Sequence, residues 1–178
     1  MATLAPIAHA HPGRIADNPI QAMPPELGDL YSRYSDTVYR TALRVTGSTA
    51  DAEDVLQTVF LRVLKREDPL DPLRTPEGFL RRAAANAAID IVRRRQTWRQ
   101  ESISETPDRL RQESSAELKQ QLREAIATLE PRDGEMFVLR YIEGLANGEI
   151  AEIYGLEKTT IAVRLHRIRE SLKVKLGS

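Results

Sequence analysis

Apolar residues recur at three- and four-residue steps along most of the chain, which is the spacing of amphipathic α-helices. The first stripe follows Pro24-Pro25, runs from Leu27 to Val45 and stops at Gly47, a residue that commonly ends helices. No stretch of the sequence alternates apolar and polar residues as a half-buried strand would. The pattern therefore predicts an all-α protein.

Two more helices are predicted in the first half of the chain. Ser48 is a typical capping residue and opens a helix that ends near Arg66, before two Asp-Pro pairs that cannot continue it. Thr75-Pro76 places a capping residue before a proline at the first helical position. It opens a helix that runs into Arg93-Arg94-Arg95.

Composition divides the chain into two helical blocks. The first 25 residues contain five prolines among small and polar residues, and residues 100–115 are polar with no sustained period. We therefore predict two small helical domains joined by a flexible linker. The segments are a disordered tail at 1–25, a first domain at 26–99, the linker at 100–115 and a second domain at 116–178.

The second block carries the pattern of a helix-turn-helix. Its helices are predicted at about 116–130, 132–143, 148–154 and 159–176. Ala151 is small enough for two helices to cross closely, and Gly155 tolerates the left-handed backbone of the turn. Leu156 is expected to fill the angle between the helices, and Thr159 or Thr160 to cap the second one.

The last helix separates an apolar face from a polar one. The apolar positions are Ile161, Leu165, Ile168 and Leu172, and the polar face carries Thr160, Arg164, Arg167 and Ser171. From Glu157 to Ser178 there are six lysines or arginines against two glutamates. An ordinary amphipathic helix with a solvated charged face is the alternative. The glycine turn together with the basic surplus favours DNA binding.

The composition excludes several classes of site. The formal net charge is zero, so a case for nucleic acid rests on local charge alone. With no cysteine and three histidines, the chain has little material for thiolate metal sites or a catalytic triad. We expect no catalytic residue, metal or cofactor, no membrane insertion and a cytoplasmic location. A small enzyme using Glu149 and Glu152 is a weaker reading, because these residues fit the solvent face of a short helix.

The segments Leu129–Leu145, Glu149–Glu152 and Thr160–Arg167 resemble region four of the extracytoplasmic-function sigma factors, a group of the sigma-70 family. That region reads the minus-thirty-five promoter element through its recognition helix. The resemblance implies DNA contacts from Lys158, Thr159, Thr160, Arg164 and Arg167.

Two segments of the first block resemble region two of the same family. Ala52–Phe60 is similar to its polymerase-binding helix, which implies docking through Glu53, Asp54 and Gln57. Phe79–Arg95 is similar to the helix that engages the minus-ten element, although tryptophan is the usual aromatic where Phe79 stands. The implied DNA contacts are Arg81, Arg82, Asn86, Arg93, Arg94 and Arg95. From Arg81 to Arg99 there are six arginines and one aspartate.

Three points in this block stay open. Asn86 fits a satisfied core amide as well as a DNA contact. Trp98 either stacks on a base or, as the sequence favours, covers the core. The segment 66–75 corresponds to the family's base-capturing loop, but it is unusually acidic and proline-rich, so its role in minus-ten specificity is in doubt.

The resemblance implies an alternative sigma factor that binds core RNA polymerase and promoter DNA, with an anti-sigma factor as a further candidate partner. The alternatives are a helix-turn-helix regulator that acts without replacing sigma and a helical adaptor that binds protein only. The surface at Glu53, Asp54 and Gln57 separates these readings, because only a sigma factor uses it to bind core polymerase.

Overall fold

The computed structural model describes residues 25–65, 75–102 and 115–177, and all regular structure in these ranges is helical. The predicted all-α fold is confirmed. Within these ranges there are seven α-helices, and a π-helical turn at Val138–Ile142 follows the fifth directly. The helices are α1 Pro25–Thr46, α2 Thr49–Leu64, α3 Pro76–Ser102, α4 Ser115–Ala127, α5 Pro131–Phe137, α6 Asn147–Tyr154 and α7 Lys158–Leu176.

Side-chain caps begin two of the helices as the sequence predicts. The Ser48 hydroxyl accepts a 3.3 Å hydrogen bond from the backbone N–H of Asp51, which fixes the start of α2. The Thr75 hydroxyl accepts one of the same length from the N–H of Gly78 at the start of α3. Each cap satisfies a backbone donor that has no partner inside its helix.

Helix α3 is longer than predicted, because it continues through Ser102 instead of ending before residue 100. Gln100, Glu101 and Ser102 include no glycine or proline, so nothing in the backbone stops the helix there. The rest of the predicted linker, 103–114, lies outside the described residues. So do residues 1–24 of the predicted tail and 66–74 of the acidic loop.

The first three helices pack into a small bundle with fully buried contacts on each helix. Val38 and Ala42 of α1, Val55 of α2 and Leu80 of α3 have no exposed surface. Several core positions of α3 are alanines, which let neighbouring helices approach closely. They are Ala84, Ala85, Ala87 and Ala88.

Helices α4 to α7 form the second block, and it packs against α3. Residues of both blocks belong to one continuous hydrophobic cluster. Ile89 of α3 approaches α5 at Gly134, and an ideal Cβ on that glycine would lie 3.1 Å from the Ile89 Cδ1 atom. The described residues therefore place the second block directly on the helix that carries the predicted minus-ten contacts.

Candidate nucleic-acid interface

The turn between α6 and α7 has the geometry that the helix-turn-helix pattern predicts. Gly155 has φ 62° and ψ 41°, a left-handed conformation that a glycine adopts at little cost. The N–H of Leu156 donates a 2.9 Å hydrogen bond back to the carbonyl of Ala151, which closes the end of α6. The Glu149 carboxylate accepts a 2.6 Å hydrogen bond from the Ala146 N–H at the other end of the helix. Glu149 thus holds the start of α6.

Helix α7 buries one face and exposes the other, as its sequence predicts. Ile161, Leu165, Ile168 and Leu172 are buried in the core of the second block. The predicted DNA-binding residues Lys158, Thr159, Thr160 and Arg167 are exposed, and three of them lie in the first turn. The N-terminal end of a recognition helix is the part that enters the major groove.

Two details of this motif differ from the sequence prediction. Helix α7 begins at Lys158, and its capping residue Glu157 makes no side-chain cap, so the predicted cap by Thr159 or Thr160 is wrong. The extended backbone of Glu157 starts the helix early enough to place both threonines inside its first turn. Leu156 is 39% exposed, so it does not fill the angle between the helices as expected.

Arg164 and Arg167 are held differently although they share the polar side of α7. The Arg164 Nε atom lies 2.5 Å from the Asp133 carboxylate at the start of α5, and its side chain is 37% exposed. Arg167 is exposed. Arg164 is therefore oriented by an ion pair within the second block, while Arg167 projects toward solvent.

The first two predicted arginines of α3 contact the second block. The Arg82 Nε atom donates a 2.9 Å hydrogen bond to the Glu135 carboxylate of α5. Arg81 pairs with Glu77 of its own helix at 2.8 Å and also with Glu143, beyond the π-helical turn. Both guanidinium groups are thus engaged by carboxylates in the described structure.

Arg93 also reaches across to the second block. It donates hydrogen bonds of 3.0 Å and 3.3 Å to the carbonyls of Ala127 and Leu129, and pairs with Asp90 at 2.7 Å. Carbonyls at the end of a helix lack partners inside it, so Arg93 satisfies the end of α4. The candidate contact Asn86 is half-buried on the same helix.

The last two candidate arginines of α3 are exposed but differ in their partners. Among the described residues, Arg94 donates only to the backbone carbonyl of Asp90, at 3.3 Å. Arg95 lies 2.5 Å from the carboxylate of Asp51, a buried acid of α2. Arg95 therefore ties α3 to α2, while Arg94 remains available to a partner.

The predicted polymerase-binding residues form an exposed face of α2. Glu53, Asp54 and Gln57 are exposed, while Val55 and Val59 on the other side of the helix are buried. Asp54 and Gln57 also line a groove of about 840 Å³ between α2 and α3. The same groove is lined by Leu61, Arg94, Arg95 and Trp98. Trp98 is 72% exposed, so the favoured expectation that it covers the core is wrong.

Three buried carboxylates pair with the arginines but were not among the predicted site residues: Asp51, Glu135 and Glu143. Glu135 is 4% exposed and sits in the apolar run Gly134–Leu139, a local signal that it needs a buried partner. The Tyr154 hydroxyl donates a 2.7 Å hydrogen bond to the same carboxylate. Burial, and then the charge of Glu135, raise the pKa of the Tyr154 phenol, so it stays protonated and keeps donating.

Comparisons with known proteins agree with this arrangement of two helical blocks. The sigma-70 region 2 family matches residues 30–99, and the sigma-70 region 4 family matches residues 119–172. The ECF sigma factor SigE of Mycolicibacterium smegmatis is 35% identical over 86% of this chain, which spans 62% of SigE. The sigma factor CarQ of Myxococcus xanthus is 31% identical over 84% of this chain and 88% of its own length. The chain belongs to the ECF sigma factors.

One solved sigma factor is also similar to this chain. RpoE of Bartonella quintana, solved with the anti-sigma factor NepR, gives a TM-score of 0.49 at 20% identity. The match covers 85% of this sigma factor and 97% of RpoE.

Among the described residues, no helix is long and apolar enough to cross a membrane. The same residues contain no group of three or more histidines and acids placed to hold a metal ion.

Proposed function

We propose that this sigma factor docks on core RNA polymerase through α2 and positions promoter DNA with α3 and α7. In this proposal α7 reads the minus-thirty-five element and α3 contacts the minus-ten element. The chain itself carries out no chemistry, because the catalytic work belongs to the polymerase. We place its action in the cytoplasm, with an anti-sigma factor as a candidate regulator.

The observation that carries this proposal is the exposed first turn of α7. Lys158, Thr159 and Thr160 follow directly on the Gly155 turn, while Ile161 and Leu165 fix the helix in the core. A helix presented in this way fits the major groove of DNA. Arg167 has the donors to pair with a guanine edge, and Lys158 suits a phosphate contact.

Exposure of the acidic and amide face of α2 supports the docking part of the proposal. Asp54 and Gln57 are three residues apart and line one groove, so they can contact a single partner surface together. Because Val55 and Val59 are buried beneath them, this face is held on a packed helix. A preformed surface of this kind binds with little loss of conformational freedom.

The test is transcription in vitro with purified core polymerase on a library of genomic fragments, with the transcript start sites mapped. We expect new start sites that depend on the chain and share two sequence elements at a fixed separation. Asn86 and the 66–75 segment can then be tested against the mapped minus-ten element. If the chain bound duplex promoter DNA tightly but never bound core polymerase, it would be a regulator and not act as a sigma factor.

A further inference from the structure

A cluster of charged and aromatic side chains joins α3 to the second block. The carboxylate of Glu135, almost completely buried, accepts hydrogen bonds of 2.9 Å from Arg82 and 2.7 Å from the Tyr154 hydroxyl. The Arg82 guanidinium carbon also lies 5.1 Å from the centre of the Tyr154 ring. Glu135 of α5 and Tyr154 of α6 thus hold Arg82 of α3, one of the proposed minus-ten contacts.

A second buried carboxylate holds a neighbouring arginine of the same surface. Glu143 has a side chain only 1% exposed, and it pairs with both Arg81 of α3 and Arg44 of α1, the latter at 3.0 Å. The two carboxylates belong to the second block and the three arginines to the first. In each of these ion pairs, the second block therefore supplies the acid and the first block supplies the base.

We propose that Glu135 and Glu143 occupy the guanidinium donors that promoter DNA would use, so that the described arrangement is a closed state of the sigma factor. In this state Arg81 and Arg82 cannot contact the minus-ten region until the second block moves away from them. The inference rests on the proposed role of Arg81 and Arg82 in binding DNA.

Carboxylate and phosphate oxygens are alternative acceptors for the same guanidinium N–H groups. The Arg82 Nε–H that donates to Glu135 cannot donate to a phosphate at the same time. Arg81 and Arg82 are only 23% and 31% exposed, so the second block also covers them. Contact of these donors with DNA therefore requires the second block to move away from Arg81 and Arg82.

Glycine at two contact points lets the second block approach α3 this closely. An ideal Cβ on Gly78, near the start of α3, would lie 2.6 Å from the Ile153 Cγ1 atom of α6. On the other side, an ideal Cβ on Gly134 would lie 3.1 Å from Ile89. A side chain at position 78 would force α3 and α6 apart as long as Ile153 is in place, which makes Gly78 a means of opening the interface.

The closed state leaves the other two proposed surfaces free. The first turn of α7 is exposed, as are Asp54 and Gln57 on α2. A closed chain then binds a minus-thirty-five duplex and docks on polymerase while Arg81 and Arg82 stay covered. The interface is also suited to reversal, because the cost of removing both charges from water offsets most of the attraction in a buried ion pair.

The test uses a disulfide between Gly78→Cys and Ile153→Cys, which would lock the closed state in a chain that has no cysteine of its own. Transcription with core polymerase is measured from a mapped promoter, before and after reduction. We expect the oxidised chain to be at least about tenfold less active, with recovery on reduction. Binding to a duplex that carries only the minus-thirty-five element should be the same in both states.

Opening of the interface is tested without a disulfide by the matched variants Gly78→Ala and Gly28→Ala. Both glycines lie in helices, but a Cβ on Gly28 meets nothing within 4 Å. We expect the free Gly78→Ala chain to bind a single-stranded minus-ten probe about fivefold more tightly than the Gly28→Ala chain. If the disulfide variant stays inactive after reduction, the comparison of Gly78→Ala with Gly28→Ala tests the closed state in its place.

The outcomes separate this inference from the proposed function. If the disulfide failed to form in the folded chain, if oxidation left transcription unchanged, or if the two alanine variants bound the probe equally, the closed state would be wrong. If the unsubstituted chain gave no promoter-specific transcript with core polymerase, the proposed function would fail instead.

Discussion

The Nε–H of Arg82 donates a 2.9 Å hydrogen bond to Glu135, a residue that is 4% exposed and 53 positions away along the chain. This ion pair links α3 to α5 through a predicted DNA contact. Removing one partner of such a pair leaves the other charge without compensation, which costs more than the intact pair contributes.

We expect Glu135→Ala to lower the free energy of unfolding by about 2 kcal/mol, less than for a fully buried pair because Arg82 is partly exposed. Tyr154→Phe removes only one hydrogen bond to the same carboxylate and should cost about 1 kcal/mol. Denaturant unfolding measures both. Glu152→Ala, which removes an exposed acid of α6, is the control. Equal stability of Glu135→Ala and Glu152→Ala would contradict the assignment of Glu135 as the buried partner of Arg82.

The helices and their buried faces could be predicted from the sequence because they follow from local periodicity and caps. Ile161, Leu165 and Ile168 repeat at helical spacing, and Gly155 occupies a turn that few other residues tolerate. These signals lie within a few residues of the structure they specify. The packing of the second block on α3 has no such local signal, because its partners are far apart in the chain.

The partners of the candidate arginines likewise could not be predicted from the sequence. The sequence grouped Arg81, Arg82 and Arg93 by their place in one basic helix, but each of them contacts the second block. A lone acid in an apolar run, such as Glu135, signals a buried partner without identifying it. Tertiary contacts thus assign partners that charge counts alone leave open.

Gly155→Ala should destabilise the second block by about 1 kcal/mol, because a Cβ is unfavourable at φ 62° and ψ 41°. Gly148→Ala is the matched control, since it also lies in α6, has no positive φ and would place its Cβ in open space. Thermal unfolding compares the two variants. A Gly155→Ala chain as stable as the Gly148→Ala chain would show that the left-handed turn is not required.

Arg167→Ala should lower discrimination between promoter and unrelated DNA by about 1–3 kcal/mol, because this exposed arginine lies on the proposed reading face of α7. Arg169→Ala removes an exposed arginine from a different face of the same helix and should leave discrimination unchanged. Competition binding with holoenzyme measures both. Arg164→Ala is less diagnostic, because it also breaks the 2.5 Å ion pair with Asp133. The assignment fails if Arg167→Ala keeps full sequence preference.

Asp54→Ala combined with Gln57→Ala should weaken association with core polymerase by at least about tenfold, because both side chains are exposed on one face of α2. The buried residues beneath them are unchanged, so the fold should survive. Asp36→Ala, which removes an acid 68% exposed on α1, provides the control. Competition for core enzyme against a labelled sigma factor gives the affinity. Normal competition by the double variant would exclude this face as the docking site.

Arg94 and Arg95 are adjacent, and we expect their removal to have different effects. Arg94→Ala loses one hydrogen bond to the Asp90 backbone and should change stability by less than about 0.5 kcal/mol. Because Arg94 is a proposed phosphate contact, its removal should also weaken the salt dependence of DNA binding. The slope of the logarithm of the binding constant against the logarithm of the salt concentration should become shallower by about one. This is measured by titrating promoter DNA at several salt concentrations.

Arg95→Ala should instead lower the free energy of unfolding by about 1–2 kcal/mol, because it leaves Asp51 buried without its cation. The second carboxylate oxygen of Asp51 has no hydrogen-bond partner in the part of the chain that the structure describes, so the acid depends on Arg95. Asp51→Asn removes the charge and should recover part of the loss when combined with Arg95→Ala. If Arg95→Ala proved as stable as Arg94→Ala, or if Asp51→Asn gave no recovery, Arg95 would be a surface residue available to DNA instead of the link between α3 and α2.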